Sequence, residues 1–305
     1  MRKLAIVLAF TSSLFAAEPK NVKVLTGVPS TEIIPIMTVM ANSLGVTCAY
    51  CHEAAWESDA KAPKEAARRM IRLTRAMNET HYGGQVAVTC NTCHHGSVAT
   101  VAVPNVADAG YEKATPPKLQ PTLPPAEELF TKYVQAWGDT TNVKNRLAVG
   151  VASGRSGRGD PRSAPFQLYQ ELPQKRELQM ELSYPPEADR EFLHQFFNYA
   201  GIRKRYSSLT TVAADEVRGR AAWVVDATPT EGGANERLWF DAATGLLLRR
   251  HRERPTLVGP LPEEYDFDDY RTVDGVKVPF LLQWSRGDYQ VTHRLATVRH
   301  NVTQP

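Results

Sequence analysis

The sequence predicts a multidomain α+β protein, in which a small α-helical domain precedes an antiparallel β-sheet domain with packed helices. Apolar residues recur at helical spacing in residues 37–44 and 63–78. After residue 126 most of the chain consists of short alternating segments between turn signals, which is typical of antiparallel strands. The 305 residues also exceed one typical domain. We therefore expect a helical domain at residues 18–96, a linker at 97–125 and a β domain at 126–305.

The N-terminus has the pattern of a secretory signal. Arg2 and Lys3 precede an apolar run over residues 4–15, and small residues follow at Ala16 and Ala17. A membrane-spanning helix needs about 18 apolar residues, and this run is shorter. We predict that residues 1–17 are a removed signal peptide and that the protein is exported to the periplasm, with peripheral membrane contact left open.

Composition narrows the functional class. The hydrophobic content of 42% and the charged content of 23% are ordinary for a globular protein, which excludes a collagen-like, coiled-coil or wholly disordered chain. Arg2 and Lys3 contribute two of the +3 formal net charges, so whole-protein charge predicts no nucleic-acid partner.

All four cysteines lie in two units of the form C-x-x-C-H, Cys48-Ala49-Tyr50-Cys51-His52 and Cys90-Asn91-Thr92-Cys93-His94. In this pattern two thiols bind the vinyl groups of one haem, and the adjacent histidine is the proximal ligand of the iron. One zinc ion or disulfides would also use the cysteines, but neither explains a histidine at the same position in both units. We predict two covalently bound haem c groups, with His52 and His94 as proximal ligands.

Methionines lie close to these units. Four of the six, Met37, Met40, Met70 and Met77, are near or between them. A thioether as sixth ligand raises the reduction potential of haem iron relative to a second histidine and closes the iron to substrates. Methionine at helical spacing also serves as core filler, so that alternative stays open.

Two helices are predicted in the cytochrome-like region. The first covers residues 35–44, with Pro35 in its first turn and Gly45 as its stop. The second covers residues 63–78 and has one apolar stripe, Ala66, Met70, Leu73 and Met77. Its other side is basic, with Lys64, Arg68, Arg69, Arg72 and Arg75, and is expected to meet haem propionates, an acidic redox partner or solvent.

Residues 37–96 resemble the cytochrome subunit family of photosynthetic reaction centres and its shorter two-haem relatives. The shared features are a methionine-bearing helix running into L-G-V-x-C-x-x-C-H, an A-R-x-M helix and V-T-C-x-T-C-H-x-G. The resemblance implies that each such helix donates the sixth ligand to the haem attached downstream. Met37 would then serve the haem on Cys48 and Cys51, and Met70 the haem on Cys90 and Cys93.

The chain departs from that family in the number of haem units and at two residues, Leu73 and His95. Family members typically carry four haems, whereas this chain has two attachment units and no photosynthetic role follows. Leu73 stands where a second methionine is frequent, and His95 where an arginine is usual. For the second haem Met77 and His81 remain alternatives to Met70, because both are closer in sequence to Cys90. Met70 and Met77 share a helical face but lie about 10 Å apart along the axis, so one iron cannot readily use either without a shift of the helix.

The C-terminal part is predicted as a sheet with two helices, 126–137 and 187–200. The strands expected are 166–172, 177–184, 221–227, 237–241, 246–252, 276–284 and 290–298. Hairpin turns are expected at 241–245 and 274–275. The pattern resembles the half-barrel of periplasmic lipoprotein-carrier-like domains, which implies an apolar ligand, a docked partner or a packing role alone.

Other charged and titratable residues carry less information. The acidic run of Glu263, Glu264, Asp266, Asp268 and Asp269 lacks the glycine and terminal glutamate of a calcium loop, so we interpret it as surface charge. We interpret His194, His251, His293 and His300 as structural.

The predicted function is electron transfer between periplasmic redox partner proteins, some of which could be acidic. A di-haem peroxidase is the alternative, but it needs one iron with a displaceable sixth ligand. A third alternative is a redox sensor that works through a ligand of the C-terminal sheet. The sequence predicts no catalytic residue and no oligomeric state.

Overall fold

The computed structural model describes residues 19–102, 122–155, 162–171, 175–180, 203–287 and 289–303. The expected signal peptide, most of the expected linker and the expected helix at 187–200 lie outside these residues. Among the described residues, no helix combines the length and the apolar composition that a membrane crossing requires.

Four helices form the N-terminal part: α1 (Ser30–Leu44), α2 (Cys48–Cys51), α3 (Ala62–His81) and α4 (Cys90–His94). Helix α1 begins five residues earlier than expected, so Pro35 lies inside the helix and is buried rather than in its first turn. It ends where predicted, because Gly45 adopts the left-handed conformation with φ of 64° that favours glycine.

In the C-terminal part, the described residues form one helix and ten strands. Helix α5 (Ala126–Trp137) has the predicted bounds and ends at Gly138. The strands are β1 (Asn145–Arg155), β2 (Arg162–Glu171), β3 (Lys175–Met180), β4 (Tyr206–Val217), β5 (Arg220–Pro229), β6 (Glu236–Asp241), β7 (Leu247–Thr256), β8 (Gly259–Val273), β9 (Val276–Arg286) and β10 (Tyr289–His300).

The ten strands form one antiparallel sheet in the order β3-β2-β1-β10-β9-β8-β7-β6-β5-β4. Strands β4 to β10 follow one another as a meander, and β1 pairs with β10, which joins the start of the sheet to its end. The hairpin turns predicted at 241–245 and 274–275 are confirmed, the second with φ of 50° at Asp274 and 81° at Gly275. The predicted α+β architecture is confirmed.

Strands β1, β4 and β8 were not predicted. In β1 the alternation is interrupted at Gly150, where a Cβ would lie 2.2 Å from the carbonyl oxygen of Arg294 on β10. In β4 most outward positions are small or polar, and in β8 the acidic run hides the strand pattern. The sequence signal is weak in β1 and β8 because Gly150 and the acidic residues fit a neighbouring strand that the sequence does not reveal. In β4 it is weak because few residues are apolar.

The acidic run is paired with arginines across the sheet. Glu263 contacts Arg252, Asp266 lies 2.7 Å from Arg249, and Asp268 lies 3.4 Å from Arg220. These pairs give the carboxylates a structural role, in place of the solvated one that we expected.

Helix α5 covers the apolar face of the sheet. Phe130, Tyr133 and Trp137 are at most 2% exposed and pack edge-to-face against one another and against Phe240. The main hydrophobic core therefore lies between α5 and the sheet.

A second core lies in the helical part, and the β domain contributes to it. Its buried members are Leu25, Ile33, Ile36, Val39, Met40, Ile71, Cys90, Val258 and Leu261. Val258 lies in the β7–β8 turn and Leu261 on β8, so this hairpin inserts into the helical part. The two parts are therefore joined by apolar packing as well as by the chain.

His293 on β10 gives a test of the main core. The residue is fully buried, its cross-strand neighbours are Ala152 and Leu282, and neither ring nitrogen has a hydrogen-bond partner among the described residues. Burial alone lowers the pKa of His293 from 6.5 to about 4. The folded protein thus holds this ring neutral.

We expect the free energy of unfolding to keep its full value above pH 6.5 and to fall as the pH drops towards 4. The reason is that His293 binds a proton at a higher pH in the unfolded chain than in the folded protein. The loss at pH 4 should be about 3 kcal/mol relative to neutral pH. Urea unfolding at several pH values measures it, and His293→Leu should remove this component. An identical pH dependence in both proteins would contradict the prediction.

Candidate haem site

The first C-x-x-C-H unit follows directly from the end of α1. The amide of Val46 donates to the carbonyl oxygen of Ala41 at 3.0 Å, which closes the helix and turns the chain. Helix α2 begins at Cys48, four residues after Leu44, and its one turn places Cys48 and Cys51 on the same side. The order of helix, turn and attachment unit is the predicted one.

A cavity of about 740 Å³ lies beside this unit, within the range of ligand pockets. Cys48, Cys51, His52 and Met37 all line it. Its other walls come from the segment 19–25, from α1 and from α3, and include Leu25, Ile33 and Ile71. Two thiols, an imidazole and a thioether around one mainly apolar space are the groups that a covalently attached, six-coordinate haem requires, so the residues present fit this group.

Both histidines of the attachment units are oriented in the same way. Nδ1 of His52 lies 3.1 Å from the carbonyl oxygen of Trp56, and Nδ1 of His94 lies 3.0 Å from that of Ser97. A carbonyl oxygen only accepts, so Nδ1 must carry the proton and Nε2 carries the lone pair that binds a metal. The geometry therefore selects the tautomer of a haem ligand at both positions.

Trp56 holds His52 in a second way. The two rings are 4.7 Å apart and inclined by 33°. The Trp56 carbonyl oxygen also accepts from the ammonium group of Lys64 at 2.9 Å, which ties this loop to α3. His52 is thus oriented by a loop that is itself anchored.

Asp59 anchors the rest of that loop. Its carboxylate lies 2.9 Å from Arg68 and 2.6 Å from Lys23, so it links α3 to the N-terminal segment. The Arg68 guanidinium, followed by Lys23, holds the pKa of Asp59 well below its usual range. The carboxylate stays charged at any physiological pH and keeps the loop over the cavity.

The basic side of α3 divides into residues that line the cavity and residues that face solvent. Arg68 is buried and lies 2.9 Å from both Asp59 and Glu65, and Lys64 is partly buried and lies 3.4 Å from Asp59; both cations line the cavity. Arg75 donates to the carbonyl oxygen of Val24 at 3.2 Å. The exposed cations of this helix are Arg69 and Arg72 in addition to Arg75. The predicted basic patch is correspondingly smaller.

The second C-x-x-C-H unit forms α4, which begins with a capping box. The Thr89 hydroxyl accepts from the Thr92 amide at 3.3 Å, and the Thr92 hydroxyl accepts from the Thr89 amide at 3.0 Å. Cys90 is buried in the helical core, whereas Cys93 is exposed. Burial raises the pKa of the Cys90 thiol, and likewise that of Cys51 in the first unit.

The two units are held together by a contact between two glycines. A Cβ at Gly45, before the first unit, would lie 2.0 Å from the carbonyl oxygen of Gly96, after the second. The Gly96 amide in turn donates to the carbonyl oxygen of Ser43 at 2.9 Å. Both glycines belong to the motifs noted in the sequence, and this close approach is a physical reason for them.

The methionines fall into three environments. Met37 is partly buried and Met40 is a core residue at 8% exposure, and both line the cavity. Met70 and Met77 are 42% and 37% exposed on the outer face of α3, together with Leu73. The buried face of α3 carries Arg68, Ile71 and Asn78 instead. The structure thus places Met37 and His52, the ligands predicted for the first haem, around one cavity. Met70, Met77 and His81 are exposed.

Three supporting residues were not predicted. Trp56 and Ser97 act through backbone oxygens, which no side-chain pattern reveals. Asn78 is 6% exposed and acts through its side chain, which bonds Val88 O, Val88 N and Ala87 N. A polar residue on the buried face of α3 is the only sequence signal for it.

Comparison with known proteins supports the resemblance found in the sequence. Residues 11–116 match the family described as Photosynthetic reaction centre cytochrome C subunit. The N-terminal part of the chain is therefore cytochrome c-like. This match covers both C-x-x-C-H units and both predicted methionine ligands.

Solved structures match the chain with low scores. A DUF1329 family protein from Desulfovibrio piger is 12% identical, with a TM-score of 0.44, and the match covers 59% of this chain and 95% of that one. A LolA superfamily protein from Nitrosomonas europaea is 6% identical, with a TM-score of 0.41 and coverages of 59% and 96%. An outer membrane lipoprotein-sorting protein domain from Vibrio parahaemolyticus is 11% identical, with a TM-score of 0.40 and coverages of 59% and 92%.

Asn78→Ala tests the support of the second unit. Three hydrogen bonds to a buried backbone segment are lost, so we expect a destabilisation of about 2–4 kcal/mol. Urea unfolding measures it, and Glu79→Ala, an exposed neighbour on the same helix, is the control. A stability equal to that of the control would contradict this role for Asn78.

Proposed function

We propose that the protein is a periplasmic cytochrome that carries two haem c groups and transfers single electrons between redox partners. The observation that carries this proposal is the cavity at the first unit, where Met37, His52 and both thiols meet. Bound haem supplies a one-electron couple, and the protein supplies attachment, axial ligands and a largely apolar surrounding.

The residues divide this work between them. Cys48 and Cys51 would attach the first haem and Cys90 and Cys93 the second, while His52 and His94 would be the proximal ligands. The anchored Nδ1–H groups keep these imidazoles in place in either oxidation state. Met37 would be the sixth ligand of the first haem. For the second we propose Met70, whose exposed stripe with Leu73 and Met77 offers an apolar surface to a haem face.

A six-coordinate pair of irons favours electron transfer over the peroxidase alternative, because a peroxidase needs a position for its substrate. The placement in the periplasm rests on the N-terminal signal pattern, and the chemistry agrees with it because haem c is attached after export. Exposed Arg69 and Arg72 beside the Met70 stripe favour a redox partner with an acidic surface. A sensing role through the sheet remains the second candidate only by analogy of fold.

The haem content tests the first part of this proposal. We expect the pyridine haemochrome assay on the purified protein to give two haems per chain, and Cys90→Ser with Cys93→Ser to give one, because each unit attaches its haem independently. The single-haem variant should keep the spectrum of the first site. Two haems retained in that variant would show that the second unit is not an attachment site.

The axial methionines test the second part. Met37→Ala should remove the methionine-to-iron absorption of one haem and open that iron to carbon monoxide, because its thioether lines the cavity. Met40→Ala is the matched comparison, since Met40 is the other methionine of α1 that lines the cavity; it should keep the absorption, and loss of the absorption in Met40→Ala alone would make Met40 the ligand. At the second site Met70→Ala should have the same effect as Met37→Ala, and Met77→Ala should keep the absorption.

Each result has a distinct meaning. Carbon monoxide binding by the unaltered protein would favour the peroxidase alternative. Loss of the feature in Met77→Ala but not in Met70→Ala would exchange the second ligand. A spectrum of two-histidine coordination at this site would indicate His81.

A further inference from the structure

Two hairpin tips of the β sheet contact helix α1, which carries Met37. At the β7–β8 hairpin, Val258 is 3% and Leu261 is 1% exposed, and both pack in the cluster that contains Ile36 and Val39 of α1. Ile36 and Val39 lie on either side of Met37 in the sequence of α1. The hairpin therefore fixes the buried face of α1.

The second contact is made by the β9–β10 hairpin. At Gly287, with φ of 57°, a Cβ would lie 1.9 Å from Cγ2 of Thr38 and 3.3 Å from Nδ2 of Asn42. Thr38 follows Met37 directly and is buried. A β-branched side chain in a helix has essentially one or two rotamers, so Cγ2 has little freedom to move aside. The tip thus touches α1 with no space for a side chain.

An ion pair fixes the start of the same helix. Arg254 of β7 lies 3.0 Å from Glu32, which is in the first turn of α1. Both side chains are about one-third exposed, so the pair adds orientation more than stability. Together the three contacts hold α1 at its first turn, along its buried face and beside Met37.

We propose that the two hairpin tips of the β domain, through Gly287 and Leu261, position Met37 for the iron of the first haem. This inference rests on the proposed function, in which Met37 is the sixth ligand. A helix moves as a rigid element, and a metal ligand must be held within about 0.5 Å of its productive position. Any shift of α1 at Thr38 therefore displaces the thioether sulfur of Met37. The β domain in this way controls the coordination of a haem that it does not bind.

Gly287→Ala in the full-length holoprotein tests this role. The added Cβ collides with Thr38, so we expect loss of the methionine-to-iron absorption from one haem, about half of the total, and carbon monoxide binding at that iron. Gly275→Ala is the matched control, because Gly275 is also a hairpin glycine of positive φ but has no atom within 4 Å of an added Cβ. Gly275→Ala also places a side chain at a positive φ, but without the collision.

Two further variants make the test specific. Thr38→Ser removes Cγ2 and keeps the hydroxyl, so Thr38→Ser combined with Gly287→Ala should recover the lost absorption. Leu261→Val loosens the other hairpin contact and should weaken the absorption of the same haem even if Gly287→Ala does not fold. Circular dichroism reports whether each variant is folded.

The outcomes separate this inference from the proposed function. An unchanged absorption in Met37→Ala would show that Met37 is not the ligand. A loss in Met37→Ala with a full absorption in folded Gly287→Ala and in Leu261→Val would overturn the positioning role alone. Equal losses in Gly287→Ala and Gly275→Ala would also overturn it, because they would arise from backbone strain rather than from contact with α1.

Discussion

The burial of helix α1 between the cytochrome-like segment and the β sheet is the constraint on which the rest of the structure depends. Ile36 is 1% exposed and packs in one cluster with Cys90 of the second unit and Leu261 of the β domain. The same helix lines the first cavity through Met37 and meets Gly96 where it ends at Gly45. Both attachment units and the sheet therefore contact the same helix, so a displacement of α1 would move all three.

The fold could be predicted where the signal is local. The bounds of α5 and the two hairpin turns follow from helical spacing, glycine positions and turn residues, which act over a few residues. Strand β8 could not be predicted, because its acidic side chains are explained only by arginines on other strands. The contact of α1 with the β7–β8 hairpin could not be predicted either, since the partners Glu32 and Arg254 are 222 residues apart in the sequence.

The candidate site divides in the same way. The sequence predicts the attachment residues from the spacing of the C-x-x-C-H units and Met37 from the resemblance, and the structure places Met37 and the first unit around one cavity. Trp56 and Ser97 could not be predicted, because a backbone carbonyl oxygen is present at every residue and only the folded chain shows which one is close. For the second haem the structure shows Met70 and Met77 on one exposed face, so the sequence-based preference for Met70 stays a prediction.

The two candidate haem sites differ in enclosure, and this difference bears on the proposed function. The first is a cavity walled by α1, α3 and the N-terminal segment, with His52 clamped by Trp56. At the second unit Cys93 is exposed, and so are Met70 and its neighbours on α3, which we propose for this site. Enclosure in apolar surroundings disfavours the extra charge of oxidised haem iron, and solvent favours it, so in the proposed function the first haem would be the stronger electron acceptor. Because Gly45 and Gly96 are in contact, the two attachment units are adjacent. Under the proposed function, an electron received at the more exposed second haem would then pass downhill to the enclosed first haem.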